Sequence, residues 1–178
     1  MLGLDIQNVY SGAVVSPSYP PAGSGLSNTF TPQNLAAGTT YSTNAILHNQ
    51  GYTPNAATPQ QNIRPFVMEP QSLVLQVITA PGDVSAGASY TAYFVTDTNP
   101  NLTTNPVVLA TLTIPNATVA DTYFVLENAP SASFELYSGL KFILVDGTGA
   151  ATLGVAAWLA PKNSISQLPY YLSGWVIE

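Results

Sequence analysis

The sequence is short of charge, and of positive charge above all. Only 7% of the 178 residues are charged, whereas about a quarter are in an average soluble domain, and three Lys/Arg against nine Asp/Glu give a formal net charge of −6. A protein that binds nucleic acid needs clustered cations to replace the counterions of the phosphates. Arg64, Lys141 and Lys162 stand far apart in the sequence. This argues strongly against DNA or RNA as the main partner.

The residues that build catalytic and metal sites are also scarce. The chain has no cysteine, which excludes disulfides and thiolate-bound metals, and its one histidine, His48, cannot form a typical zinc site alone. No Gly-x-Ser-x-Gly elbow accompanies that histidine, and the acidic residues are spread singly. A glycosidase-like carboxylate pair and a calcium ion held by Asp97 and Asp146 stay open as alternatives. The expectation is a protein that is not an enzyme and carries no cofactor or metal.

Long apolar runs are missing as well. No uninterrupted apolar stretch approaches 20 residues, so we expect no transmembrane helix and no membrane partner. Residues 1–15 lack a basic segment and contain Asp5, which does not fit a secretory signal. We therefore expect synthesis in a cytoplasm.

The chain divides into three regions by composition. Residues 1–40 contain several Pro and Gly among isolated apolar groups, which favours an extended N-terminal arm. A β-sandwich domain is predicted over residues 41–162, with a short strand at 41–47 and a long loop at 48–65. Residues 163–178 form an apolar C-terminal tail that we expect to be docked on another surface. Removal of residues 1–30 is expected to leave the sandwich folded.

The central region has the texture of an all-β fold. Runs of β-branched and aromatic residues alternate with turn residues, and Asp146-Gly147-Thr148-Gly149 is a hairpin signal between two of them. Strands are predicted at residues 72–79, 90–97, 107–114, 122–127, 134–145 and 152–160. The expected fold is all-β, an antiparallel β-sandwich or barrel. Several strands are apolar on both faces, which predicts a second covering layer from the chain's own arm or from another subunit.

Aromatic residues outside the alternating strands are the candidate contact residues. Tyr and Trp are enriched at protein interfaces, and an exposed aromatic ring also stacks on sugars. Because these residues lie in Pro-rich segments near both ends of the chain, we favour protein contact over sugar binding. The candidates for an interface with another protein or subunit are Tyr10, Tyr19, Phe30, Tyr52, Tyr170, Tyr171 and Trp175.

The layout as a whole resembles a known family. The segments that carry the resemblance are Tyr41-Ser42-Thr43-Asn44-Ala45-Ile46, Ser72-Leu73-Val74-Leu75-Gln76-Val77, Leu136-Tyr137-Ser138-Gly139-Leu140-Lys141-Phe142, the stretch 149–154, and Ala156-Ala157-Trp158-Leu159. Together they resemble the capsid cement, or decoration, proteins of tailed bacteriophages. The similarity is to the type in which a small jelly-roll-like sandwich sits as a trimer at three-fold positions of the capsid, and it covers most of residues 41–162.

The resemblance implies a structural role in a virion. It implies a homotrimer that binds the outer capsid surface and locks neighbouring major capsid proteins together, with the arm and tail carrying much of the contact. Two alternatives stay open. The chain is a single jelly-roll capsid protein that itself tiles the shell, or it is a carbohydrate-binding or host-adhesion module such as a head fibre.

Overall fold

The computed structural model describes residues 9–14, 30–47, 71–129, 137–162, 165, 168 and 171–177. Every regular segment longer than a single turn in these residues is a β-strand. In chain order the strands are β1 (Val9–Ser11), β2 (Ala13–Val14), β3 (Phe30–Thr31), β4 (Gln33–Ala36), β5 (Gly38–Tyr41), β6 (Ile46–Leu47), β7 (Gln71–Thr79), β8 (Ser89–Asp97), β9 (Val107–Ile114), β10 (Thr122–Leu126), β11 (Tyr137–Val145), β12 (Thr152–Pro161) and β13 (Trp175–Ile177).

Two antiparallel sheets pack face to face. In the first sheet the order is β4-β12-β7-β10, with β1 paired to β12 beyond the end of β4. In the second sheet it is β5-β11-β8-β9, with β6 beside β5 along β11 and β13 outside β9. Strands β2 and β3 pair separately with each other. The eight strands of the two main orders follow the pattern of a jelly roll, so the predicted antiparallel β-sandwich is confirmed.

The strands form because their side chains alternate between the core and the outside. In β8 the inward Tyr90, Ala92 and Phe94 are buried, whereas Thr91 and Tyr93 between them are partly exposed. Strand β9 has the predicted bounds, and β7, β8, β10 and β12 differ from theirs by one residue at an end. The single short strand predicted at 41–47 is wrong. Residue 41 ends β5, residues 46–47 form β6, and residues 42–45 separate the two strands.

The described part of the predicted N-terminal arm lies in the sheets. Strand β4 pairs with β12 and strand β5 with β11, so the chain passes from one sheet to the other at residue 37. Gly38 has a φ of +113°, which only glycine adopts without strain, and it permits this abrupt crossing. Val9–Ser11 is fully integrated too, with all three residues buried. The sandwich therefore starts well before residue 41.

The second face of the first sheet is covered by the chain itself. Its outward apolar residues are Val9, Val74, Val125, Ala156, Trp158 and Ala160, and they form a cluster with buried Ile165. Leu168 and Tyr171 pack against the same cluster. The C-terminal segment therefore acts as the covering layer for the first sheet, which explains the two apolar faces of β12 but not those of β8 and β11 in the second sheet.

Candidate functional site: a braced loop end and a docked tail

Tyr10 is a core residue. Its side chain is fully buried between the sheets, its ring meets Phe94 edge to face at 6.1 Å, and its hydroxyl is 2.7 Å from Oγ of Ser138. A side chain without exposed surface has nothing to offer a partner. We therefore assign Tyr10 to packing instead of to the predicted contact surface.

Tyr171 and Trp175 hold the tail onto the sandwich. Tyr171 packs on the outer face of the first sheet, and its hydroxyl donates to Oε1 of Glu127 at 3.2 Å, so that the bond to this carboxylate and its charge raise the pKa of Tyr171. Trp175 packs against the main core instead. Both aromatic residues thus dock the tail on the chain's own sandwich, and neither is fully exposed. Their contact with a capsid or another subunit stays a prediction.

Backbone hydrogen bonds attach the same tail to both sheets. The N–H of Leu172 donates to the carbonyl of Tyr123, and the N–H of Val125 donates to the carbonyl of Leu172, at 2.8 and 2.9 Å. Three residues later β13 pairs with β9, the neighbouring edge of the second sheet. The tail therefore closes the open side of the sandwich between β10 and β9.

The structure describes no side chain of the other predicted contact residues. Phe30 lies in β3, where only its backbone is described, opposite Val14. Tyr19, Tyr52 and Tyr170 lie outside the described residues. Their assignment to a capsid or subunit interface stays a prediction.

Two buried carboxylates are fully engaged by the backbone, and neither has the features of a catalytic acid. The first, Asp97, ends β8 and is fully buried. Burial raises its pKa. Hydrogen bonds lower the pKa by more than burial raises it, so the net pKa is lowered; they come from the N–H groups of Asn105, Asn99 and Thr104, at 2.9–3.0 Å, and from the Thr98 hydroxyl. A carboxylate held ionised in this way shapes the β8–β9 loop and is poorly suited to donate a proton.

The second buried carboxylate, Asp83, ties three chain segments together. Oδ1 accepts hydrogen bonds from the hydroxyl and the N–H of Ser85, and Oδ2 accepts from the N–H groups of Gly147 and Gly149 at 2.9 and 3.3 Å. The bonds from Ser85 lower the pKa of Asp83 most, followed by the bond from Gly147, so that its pKa lies far below the usual range. The phenol of Tyr90 both accepts from the N–H of Asp83 and donates to its carbonyl.

Further bonds join this turn to its neighbours. The N–H of Thr148 donates to Oγ of Ser85, and the amide of Asn116 donates to the carbonyl of Ala88 at 3.0 Å. Three loops are thereby braced at one end of the sandwich, namely residues 80–88, 115–121 and 146–151. We refer to them as the loop end.

The loop end carries exposed apolar groups. Val84, Val119 and Val145 belong to it or border it, and they are 69%, 68% and 45% exposed. A shallow open depression beside Val119 is lined by Pro115, Ala117, Thr118, Thr122 and Leu172. Sequence periodicity could not have identified these valines, because each lies in or beside a turn where alternation stops.

A calcium ion shared by Asp97 and Asp146 is ruled out by the strand register. Tyr137 pairs with Asp97 and Val145 pairs with Ser89, so the two aspartates lie at opposite ends of β8 and β11. At about 3.4 Å per residue they are roughly 31 Å apart. Within the described ranges no group of three or more His, Asp or Glu side chains is placed to hold a metal.

The described residues contain no helix long and apolar enough to cross a membrane. No protein-family model matches the chain, and no curated protein matches it.

Proposed function

We propose that the chain is a structural protein of a tailed-phage virion, a cement protein that binds the outer capsid surface as a homotrimer and stabilises contacts between major capsid proteins. The observation that carries the proposal is the strand order β4-β12-β7-β10 over β5-β11-β8-β9. Jelly rolls with this order are used by viral capsid proteins, lectins and cupins. Among these, the capsid class agrees with the sequence resemblance.

The arrangement and hydrogen bonding of the polar side chains also support the capsid class over the cupin class. A cupin-type enzyme needs metal ligands, and the described residues supply no such cluster. Asp83 and Asp97, the buried carboxylates, are occupied by backbone donors, as structural carboxylates are. A surface with few ions can also be desolvated against a neighbour without stranding unpaired charges, which suits a protein covered on several sides.

The docked tail counts against a glycan-binding role for two of the aromatic residues. Tyr171 and Trp175 pack against the sandwich, so their rings are only partly open to a stacking sugar. A glycan array tests this alternative directly. Binding of a defined glycan that is lost on Trp175→Ala replacement would favour the head-fibre alternative over the capsid role.

Particle composition tests the proposal and separates it from the capsid-tile alternative. We expect quantitative mass spectrometry of purified virions to find the protein at a fixed ratio to a distinct major capsid protein, and native mass of the isolated protein to give a trimer. Particles in which this chain is the sole shell protein would favour the tile. Its absence from purified particles would overturn the virion role.

A further inference from the structure

We propose that the loop end is the surface by which this protein docks onto the shell, and that it fits a protein surface carrying Lys or Arg beside apolar side chains. The inference rests on the proposed function, because the partner it describes is the outer face of the capsid. It adds the part of the sandwich that makes the contact and the chemistry of the surface that receives it.

The loop end is built as a rigid surface. Three loops that are far apart in sequence are joined through Asp83, Ser85 and Asn116, and Gly82 adds a backbone bond to Thr152 at 2.9 Å. Loops without such bonds lose conformational freedom when they bind, which weakens association. Here that ordering is complete before a partner arrives, so exposed groups on these loops contribute their full contact energy.

Apolar side chains project from this rigid surface. Val84 and Val119 each expose more than two thirds of their surface, and Val145 adds a third apolar group at the end of β11. Scattered exposed valines are ordinary on any protein. Val84 and Val119 lie on loops that are braced against one another, and Val145 ends the strand that leads into the third loop, so this end of the sandwich offers a partner three apolar groups to bury.

The ionisable groups of the described loop end are all acidic. They are Asp83, which is kept ionised by its hydrogen bonds, and the exposed Asp121 and Asp146. The described cations lie elsewhere, since Lys141 sits over the ring of Tyr93 and Lys162 bonds to Asn128 near the opposite end. Lys141 is five residues from Asp146, or roughly 17 Å along the strand, about twice the screening length at physiological salt. Among the described residues no cation lies close enough to compensate this negative charge, which favours a cationic partner.

The described residues at the opposite end of the sandwich lack this combination. Its buried Asp97 is enclosed by its own loop, Glu127 is engaged by Tyr171, and Lys162 adds a positive charge. It does carry Val107, which is 46% exposed and so matches Val145. Val107 and Val145 each lie at the end of a long strand of the second sheet, so Val107 is a matched control position for Val145.

Binding of purified protein to capsids of the source virus stripped of it tests the inference. The paired variant Val119→Ser/Val145→Ser should bind roughly tenfold more weakly than the wild type, because interface truncations at central positions commonly cost this much. The control Val107→Ser/Val176→Ser, with similar total exposure but away from the loop end, should change affinity less than about twofold.

A charge variant tests the chemistry of the partner. Asp121→Asn/Asp146→Asn should reduce affinity at low salt and flatten its dependence on salt concentration. Asn tolerates the positive φ of 63° at position 121, so the backbone is preserved there. Unchanged far-UV circular dichroism and melting temperature confirm that each variant is folded.

The outcomes separate this inference from the proposed function. If wild-type protein does not bind stripped capsids, both fall. If it binds and the loop-end variants bind equally well, or if the control pair loses as much affinity, the loop end is not the docking surface and the proposed function stands. If the valine variant binds stripped capsids more weakly but the charge variant keeps the wild-type dependence of affinity on salt concentration, the inference of a cationic partner is wrong.

Discussion

The carboxylate of Asp83 accepts a hydrogen bond from the N–H of Gly147 at 2.9 Å, across 64 positions of the sequence. This bond joins the β7–β8 loop to the loop between β11 and β12. The hairpin predicted at Asp146-Gly147-Thr148-Gly149 is wrong, because β11 and β12 lie in different sheets and do not pair with each other. The same carboxylate orders its own turn through Ser85. A single buried side chain thus sets the shape of the end of the sandwich.

Replacement of Asp83 should destabilise the protein more than any other single change at this end. In Asp83→Asn one carboxylate oxygen becomes an NH2 group that faces backbone donors, so bonds from Ser85 or from Gly147 and Gly149 are lost. We expect the melting temperature to fall by several degrees in differential scanning calorimetry. Asp146→Asn, at an exposed position of the same end, is the matched control and should change it little. An Asp83→Asn protein with wild-type stability would contradict the role of Asp83 as a brace.

The lowered pKa values of Asp83 and Asp97 predict loss of stability in acid. Both groups bind a proton less readily in the folded chain than in the unfolded one, where the pKa of an Asp is about 3.9. Their contribution is therefore complete above that pH and is lost as the pH falls towards the folded-state values. We expect the free energy of unfolding in urea to decrease below about pH 4. The decrease should be shallower in Asp83→Asn, and an equal slope in both proteins would contradict the assignment.

Tyr10 should contribute to stability as a core residue. Tyr10→Ala removes a fully buried ring and should cost about 3–5 kcal/mol, whereas Tyr10→Phe loses the hydroxyl bond to Ser138 and should cost about 1 kcal/mol. Removal of residues 1–30 takes away the same ring, so we now expect that truncation to destabilise the sandwich. Urea unfolding gives the free energy of unfolding of the two Tyr10 variants and of the truncated protein. A stable truncated protein would mean that the first strand is dispensable.

The tail should stabilise the sandwich through Trp175 and not through its neighbour Val176. Trp175 packs on the main core, so Trp175→Ala should cost about 2 kcal/mol, less than for a fully buried aromatic residue. Val176 is 64% exposed, and Val176→Ala should stay within about 0.5 kcal/mol of the wild type. Thermal unfolding of the two variants side by side gives the comparison. Equal effects would show that the tail is attached by its backbone alone.

The long central strands could be predicted from sequence because their signal is local. Tyr90, Ala92 and Phe94 alternate with Thr91 and Tyr93, and the structure buries the first set. Strands β4 and β5 carry no such signal, since Gln33–Ala36 and Gly38–Tyr41 are short and largely polar. They form because the edges of β12 and β11 offer backbone partners, which depends on contacts distant in sequence.

The candidate site was harder to predict for the same reason. A tyrosine in a Pro-rich stretch looks exposed in sequence, yet Tyr10 fills the space beside Phe94. Asp83-Val84-Ser85 has the local pattern of a turn, but nothing near it in sequence indicates Gly147 as a partner. The exposed valines of the loop end become a surface only when the three loops are brought together.

Cryo-electron microscopy of purified virions, compared with particles from a virus lacking this gene, tests the central claim most directly. The account predicts a jelly-roll density on the outer capsid surface at three-fold positions, present in the first sample and absent from the second, with the loop end towards the shell. Identical outer surfaces in the two reconstructions would contradict it.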